Sequence, residues 1–209
     1  MVVPERGVDV SLTVETGQIL ALTGANGAGK STVLSAVAGW LRPESGHARL
    51  GERTLFDLTS NTTAWIPARR RNVGYLTQDP LLFPHLTAEA NVAFGLRRAG
   101  VVSRAERREV ARDWLDRLGV GHLAGRRPHQ LSGGQAQRTA IARVLASEPD
   151  LVLLDEPLAA LDAQAVPQIR ELLAEVLTGR TTVLVSHQAA DIQTLADVIT
   201  AIPAPPPSA

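Results

Sequence analysis

The 209-residue chain contains no cysteine. Disulfides, zinc–thiolate sites and thiol catalysis are therefore excluded together. Lysine is nearly absent as well: Lys30 is the only one, and every other long cationic side chain is arginine. Aromatic residues make up 3% of the chain and none precedes Trp40, so the first part of the sequence offers no ring for stacking. Neither sign of charge is in excess, with 21 Lys and Arg against 21 Asp and Glu. That balance removes any whole-chain argument for nucleic acid or an anionic membrane as a partner. No apolar run approaches the roughly 20 residues of a membrane-spanning helix. Met1–Arg6 lacks the charged-then-apolar layout of a secretion signal. Any membrane role is expected to run through other chains.

What is present describes an ordinary globular chain, 44% apolar and 20% charged, long enough for one sizeable core with a small appended lobe. Val8–Val14 alternates apolar and polar residues, the pattern of a half-buried strand. Ile19–Thr23 reads as a short buried strand, and Val33, Leu34, Val37 and Leu41 mark one face of a helix that ends near Gly39. Residues 54–72 lack periodicity and contain Asn61, Pro67 and three consecutive arginines, so a surface excursion is expected before a strand at Val73–Thr77. Residues 87–147 read as helical. Ser103 and Glu106 have capping-box spacing, and Val110, Trp114, Leu115 and Leu118 share a face. Leu151–Leu154 and Thr182–Val185 are continuous apolar runs suited to central parallel strands covered on both faces. Between them a helix carries Ile169, Leu172, Leu173 and Val176. Strands alternating with helices, with motifs at strand ends, predict a doubly wound α/β fold.

Gly24-Ala-Asn-Gly-Ala-Gly29-Lys30-Ser31 fits the phosphate-loop pattern, directly after a strand and directly before a helix. Its glycines let backbone N–H groups of Asn26, Gly27, Ala28 and Gly29 approach phosphate oxygens. The helix that starts at Lys30, Ser31 and Thr32 aims its positive end at the same oxygens. Lys30 puts a compact charge on the outer phosphates, and the Ser31 hydroxyl can reach Mg²⁺. A glycine-rich turn with an incidental lysine is the plain alternative, and the flanking strand and helix argue against it.

Leu151–Leu154 ends in Asp155, Glu156 and Pro157. Two adjacent carboxylates at a strand end repel each other unless cations or donors use them. Asp155 is the expected Mg²⁺ residue. Glu156 is expected to face the opposite way, as neighbours in a strand do, and to polarise an attacking water. Acids capping the next helix are the structural alternative.

Leu131-Ser-Gly-Gly-Gln135, taken in order with the phosphate loop, Gln78, Asp155-Glu156, Leu161-Asp162 and His187, resembles an ABC transporter ATPase domain from residue 8 to about 200. The resemblance implies a P-loop NTPase α/β fold, with a mostly parallel central sheet, an N-terminal antiparallel β region and a helical subdomain. It implies an ATPase domain over 1–202, the helical subdomain inserted at about 80–147, and a proline-rich tail at 203–209. ATP and Mg²⁺ are the implied cofactors. Glu156, His187 and Gln78 become the catalytic set, and Ser31, Gln78 and Asp155 the metal set. Ser132, Gly133, Gly134 and Gln135 form a second phosphate-seeking helix start, joined by Asp162. The resemblance further implies a head-to-tail homodimer with ATP between the copies.

The stretch from Gln78 to Gly95 resembles importer subunits, in which Leu82, Phe83 and Pro84 would receive an integral-membrane permease. Such a subunit lies on the cytoplasmic face of the membrane and is served indirectly by an extracytoplasmic solute-binding protein. Among importers the wording is most similar to the molybdate-uptake ATPase; sulfate, iron and polyamine importers, exporters and non-transport ABC ATPases remain the alternatives. No nucleic acid is expected as partner.

Three departures stand out. The family stacks adenine on an aromatic residue ahead of the phosphate loop, where this chain offers Arg6. Ala159 stands where serine is common, and Gln188 follows His187 where an acid is common. Arg69–Arg71 and the run from Arg97 to Arg108 suit an anionic surface. The interleaved Glu106, Glu109, Asp113 and Asp116 favour a solvated helix with i,i+4 pairs instead.

Overall fold

A computed structural model of the chain describes residues 1–59, 63–96 and 103–203. Val2–Val3 (β1) and Val8–Asp9 (β2) pair antiparallel and lead to Ile19–Thr23 (β3). A glycine-rich turn enters Lys30–Ala38 (α1). His47–Leu50 (β4), Arg53–Asp57 (β5) and Ala64–Trp65 (β6) form an antiparallel sheet, and Val73–Leu76 (β7) follows. Then come three helices, Ala88–Gly95 (α2), Arg104–Arg117 (α3) and Gly133–Ala146 (α4). Each starts on a hydroxyl cap: Thr87, Ser103 and Ser132 accept backbone N–H groups three residues on. Leu151–Asp155 (β8), Val166–Leu177 (α5), Thr182–Val185 (β9), Ala189–Leu195 (α6) and Val198–Ala201 (β10) complete the order.

The central sheet is parallel throughout, in the order β10-β3-β9-β8-β7. Alternation along its strands feeds two separate cores. Leu20, Leu22, Leu151, Leu153, Val183 and Val185 pack with Val33 and Leu34 of α1. Ile19, Leu76, Val152, Leu154 and Leu184 turn the other way, toward α2 to α5. Covering on both faces is why these strands read as unbroken apolar runs. The same geometry brings the C-terminal ends of β3, β7, β8 and β9 to one edge.

Several expectations need correction. Val8–Val14 alternates in burial as its sequence implies, yet strand pairing stops at Asp9. Beyond it Val10 exchanges hydrogen bonds with Met1 at 2.6 and 3.0 Å. Alternation there reports one-sided burial, which a segment can have without a ladder partner. Leu41 lies past the end of α1 and packs on the same core.

The described part of 54–72 is no surface excursion: it holds most of β5 and all of β6, with Leu55 and Phe56 buried. Arg71, the last of the arginine triplet, is 0% exposed. Its Nη1 donates to the Ala36 and Val37 carbonyls at 2.7 and 2.8 Å, and its Nε donates to the Ile66 carbonyl at 2.7 Å. The guanidinium lies over Trp65 at 4.4 Å. Arg71 thus closes the C-terminal end of α1, satisfying the Val37 carbonyl and adding a second donor to the Ala36 carbonyl, which also accepts the Gly39 N–H at 3.1 Å. In the second basic run, Arg108 and Arg112 pair with Glu89 of α2 at 3.0 and 2.6 Å, across helices instead of at i,i+4. Asn61, Arg97, Arg98 and tail residues 204–209 lie outside the described residues.

Candidate functional site

The loop after β3 is shaped by two glycines. Gly29 has φ 90°, and a Cβ there would fall inside the Val8 side chain. Gly24 has φ 143°, and a Cβ there would sit 2.8 Å from the Ile202 carbonyl oxygen. Any other residue meets both strain and collision at these positions. α1 then begins at Lys30 without a side-chain cap. Its first N–H groups therefore remain open to an anion. Lys30 is buried, and its Nζ donates to the carbonyls of Gly24 and Ala25 at 2.8 and 3.0 Å. The ammonium is thereby held within the loop, over the space a phosphate would enter.

That space is an open cleft of about 850 Å³. Asn26, Gly27, Gly29, Lys30, Ser31 and Thr32 line one side, and Gln78, Asp155, Glu156 and His187 line the other. The cleft therefore gathers residues from the ends of four neighbouring strands. Arg6 lines it too and donates to Thr32 Oγ1 at 3.4 Å. Among the described residues no Phe, Tyr or Trp lines the cleft.

Asp155 closes β8 and is 5% exposed. Glu156 does not face away from it, contrary to the alternation argument. Its backbone leaves the strand in the left-handed region, φ 52°, so the period of two no longer applies, and both acids line the cleft. A left-handed conformation at a residue with a Cβ is costly and collects at functional sites. The Glu156 carboxylate lies 3.5 Å from His187 Nε2, and its buried Oε1 lacks a hydrogen-bond partner in the protein. Burial pushes the Glu156 pKa above the usual carboxylate range; His187 opposes the shift, and the Asp155 charge adds to it.

Ser31, Asp155 and Gln78 bring a hydroxyl, a carboxylate and an amide carbonyl to one cleft. These hard oxygens fit Mg²⁺ held jointly with phosphate, because Mg²⁺ keeps water and substrate ligands and needs few from the protein. Among the described residues no group of three His, Asp or Glu is placed to hold a metal.

Ser132, Gly133, Gly134, Gln135 and Asp162 do not line the cleft. Ser132 caps α4, which begins at Gly133, in a reciprocal capping box: its N–H donates to Gln135 Oε1 at 2.9 Å and its Oγ accepts the Gln135 N–H at 3.3 Å. Asp162 Oδ1 accepts the Ala165 N–H at 2.9 Å. Gly133 has open space around it.

Leu82 packs on the core, whereas Leu81 and Phe94 are exposed and Phe83 stacks on Phe94 at 4.6 Å. Sequence reading missed what holds this segment. Asn91, fully buried on α2, donates to the Phe83, Leu86 and Thr87 carbonyls and accepts the Phe83 N–H. Arg143 of α4 donates to the Pro80 and Leu81 carbonyls, both at 3.0 Å, and burial lowers its pKa. Tyr75 was also missed. Its hydroxyl meets Ser35 Oγ of α1 at 3.3 Å; its pKa is raised first by burial, against the Ser35 bond and with the Asp155 charge. A polar residue inside an otherwise apolar helix or strand face is the sequence signal that flags Asn91 and Tyr75.

Comparison with known proteins gives a consistent picture. A family model described as ABC transporter matches residues 8–159. The chain is 49% identical over 201 residues to the molybdenum import ATP-binding protein ModC of Mycobacterium tuberculosis, covering 94% of this chain and 54% of that protein. It is 46% identical over 192 residues to an Fe(3+) ions import ATP-binding protein of Rhodococcus jostii, covering 90% of this chain and 52% of that one. The chain thus spans about half the length of the curated relatives it matches. Among solved structures, a dimeric ATP-binding cassette in a post-hydrolysis state bound to ADP and Pi aligns with TM-score 0.79 and 31% identity, covering 93% of this chain and 84% of that chain.

Proposed function

The chain belongs to the ABC transporter family, and on that premise we propose that it is the ATP-hydrolysing subunit of a membrane importer whose solute is molybdate or a similar oxyanion. The observation that carries the reading is the cleft itself. It joins the uncapped start of α1, Lys30, Asp155, Glu156, Gln78 and His187, while a second capped helix start, Ser132–Gln135, stays outside it.

The residues divide the work of phosphoryl transfer. The open N–H groups of Lys30, Ser31 and Thr32 bind phosphate oxygens, and Lys30 exchanges two carbonyl acceptors for them. Ser31, Asp155 and Gln78 would hold Mg²⁺, which when bound neutralises charge between the outer two phosphates. Glu156, whose Oε1 faces His187 Nε2 but accepts no hydrogen bond and whose pKa is raised, takes the proton of the water whose oxygen bonds to the terminal phosphorus as the bridging bond to ADP breaks. His187, beside Glu156, orients that water and the terminal phosphate.

Two copies head to tail would bring Ser132, Gly133, Gly134, Gln135 and Asp162 of one onto the phosphates held by the other. That arrangement gives the outlying motif a ligand, and the dimeric form of the aligned cassette supports it. Among the described residues no helix is long and apolar enough to cross a membrane. Attachment to the cytoplasmic face therefore runs through permease subunits, seated on Leu81, Phe83, Pro84 and Phe94, with Leu82 behind them. A solute-binding protein acts on the far side of the membrane. The molybdate assignment follows the relative at 49% identity. Molybdate uptake by cells carrying Glu156→Gln should match that of a deletion strain. Undiminished uptake there, with another solute lost instead, would overturn the solute and keep the ATPase.

A further inference from the structure

His187 sits in the turn between β9 and α6 with its side chain 52% exposed. Within the cleft its side chain approaches Glu156 at 3.5 Å, and its backbone N–H also faces the Glu156 carboxylate. The residues that flank it are tied from beneath. Ser186 is buried; its hydroxyl donates to Asp191 Oδ2 at 2.8 Å and accepts the Gln188 N–H at 3.1 Å. Asp191 is 2% exposed, and its Oδ1 accepts from Arg170 Nε and Nη2, both at 2.8 Å. A serine hydroxyl has one proton, so giving it to Asp191 fixes where its lone pairs point. The bonds therefore converge on Asp191 of α6: Arg170 of α5 donates to it from one side, and Gln188 donates to Ser186, which donates to Asp191, from the other. Both neighbours of His187 are referred to one charge pair on two different helices, a buried carboxylate and a partly buried guanidinium.

We propose that Arg170 and Asp191 are positioning residues for hydrolysis, acting through Ser186 to hold the His187 turn against Glu156. Charge-assisted bonds are short and directional, which suits them to fixing a turn whose exposed imidazole has little else to order it. A carboxylate that only joined α5 to α6 would have no need of Ser186, and the Gln188 N–H would then be free to turn. Asp191 also lies close enough for its charge to help raise the Glu156 pKa. The proposal rests on the ATPase reading.

The test uses a variant that leaves the ion pair in place. Ser186→Ala should lower kcat roughly tenfold with KM unchanged, as expected when a reacting group loses its orientation but the ligand site is intact. Ser186→Thr, which keeps the hydroxyl, should restore the rate. In a His187→Ala background, Ser186→Ala should cost nothing further, because residues acting as one unit are non-additive. Amide hydrogen exchange at Gln188 should quicken in Ser186→Ala and Asp191→Asn relative to the parent chain. An equal and independent loss from Ser186→Ala in both backgrounds, or an unchanged kcat, overturns the positioning role while the ATPase reading stands. Absence of ATP turnover in the unaltered chain overturns both.

Discussion

Glu156 and His187 face each other across 3.5 Å, the one on a left-handed residue after β8, the other on the turn after β9. Glu156→Gln keeps the shape and removes the carboxylate proposed as base. Turnover should fall by about a hundredfold or more, nucleotide binding should persist, and an ATP-bound dimer should accumulate on size exclusion. The pKa adds a sign. Burial raises the Glu156 pKa in the fold, so its ionisation opposes folding at neutral pH, and stability from this group is fully present only at pH values below its unfolded pKa. Glu156→Gln should therefore raise Tm at neutral pH, with the gain shrinking as pH falls through the raised pKa. The turnover of the parent chain should fall over that same acid range.

Lys30 is bonded to two loop carbonyls and is the only lysine. Lys30→Ala should weaken Mg-ATP binding by roughly a hundredfold or more, since one such contact is worth about 4 kcal/mol before desolvation. Titration with a fluorescent ATP analogue reads this directly, and affinity equal to that of the parent chain would remove the loop from phosphate binding.

Arg71 is the largest fully buried side chain, with its pKa pushed down to about 10 by burial. Arg71→Met leaves the Val37 and Ile66 carbonyls without the guanidinium, and the Ala36 carbonyl with the Gly39 N–H alone, and should cost about 3 kcal/mol in urea unfolding. Arg71→Lys should recover less than half of that, because an ammonium lacks the planar fork that spans two carbonyls of one helix and a third just after β6.

Arg6 is the planar cation on the cleft wall beside Thr32, in a cleft that no Phe, Tyr or Trp of the described residues lines. A guanidinium stacks on any base face, and stacking of that kind is tolerant of base identity. ATP and GTP should therefore bind within about fivefold of each other, and Arg6→Tyr should tighten both. A strong ATP preference in equilibrium titration, unchanged by Arg6→Ala, would take Arg6 out of base recognition.

Much of this was legible in the residues, and the exceptions share a cause. Ile19–Thr23, Leu151–Leu154 and Thr182–Val185 announced themselves because both sheet faces are covered, and Gly24–Thr32 because the phosphate-loop pattern constrains backbone and side chain together. Arg71 looked like surface charge because its partners are backbone carbonyls of Ala36 and Val37, which leave no mark on side-chain patterns. β5 and β6 were hidden because short strands with adjacent buried residues, such as Leu55 and Phe56, show no alternation. The turn at Glu156 defeated a rule that holds only while the chain remains a strand. The tie from Arg170 through Asp191 to Ser186 spans two helices and a turn, so no local spacing encodes it.

The central claim is that each ATP site is built from two copies, the Lys30 loop of one and the Ser132–Gln135 helix start of the other. Two defective chains test it: Lys30→Ala, and Gly133→Asp, which adds a negative charge where there is open space for the side chain. Each alone should be inactive. Mixed in equal amounts, half of the dimers carry one intact composite site, so ATP turnover should return to about a quarter of the parent rate. A mixture as inactive as its components would contradict the shared site.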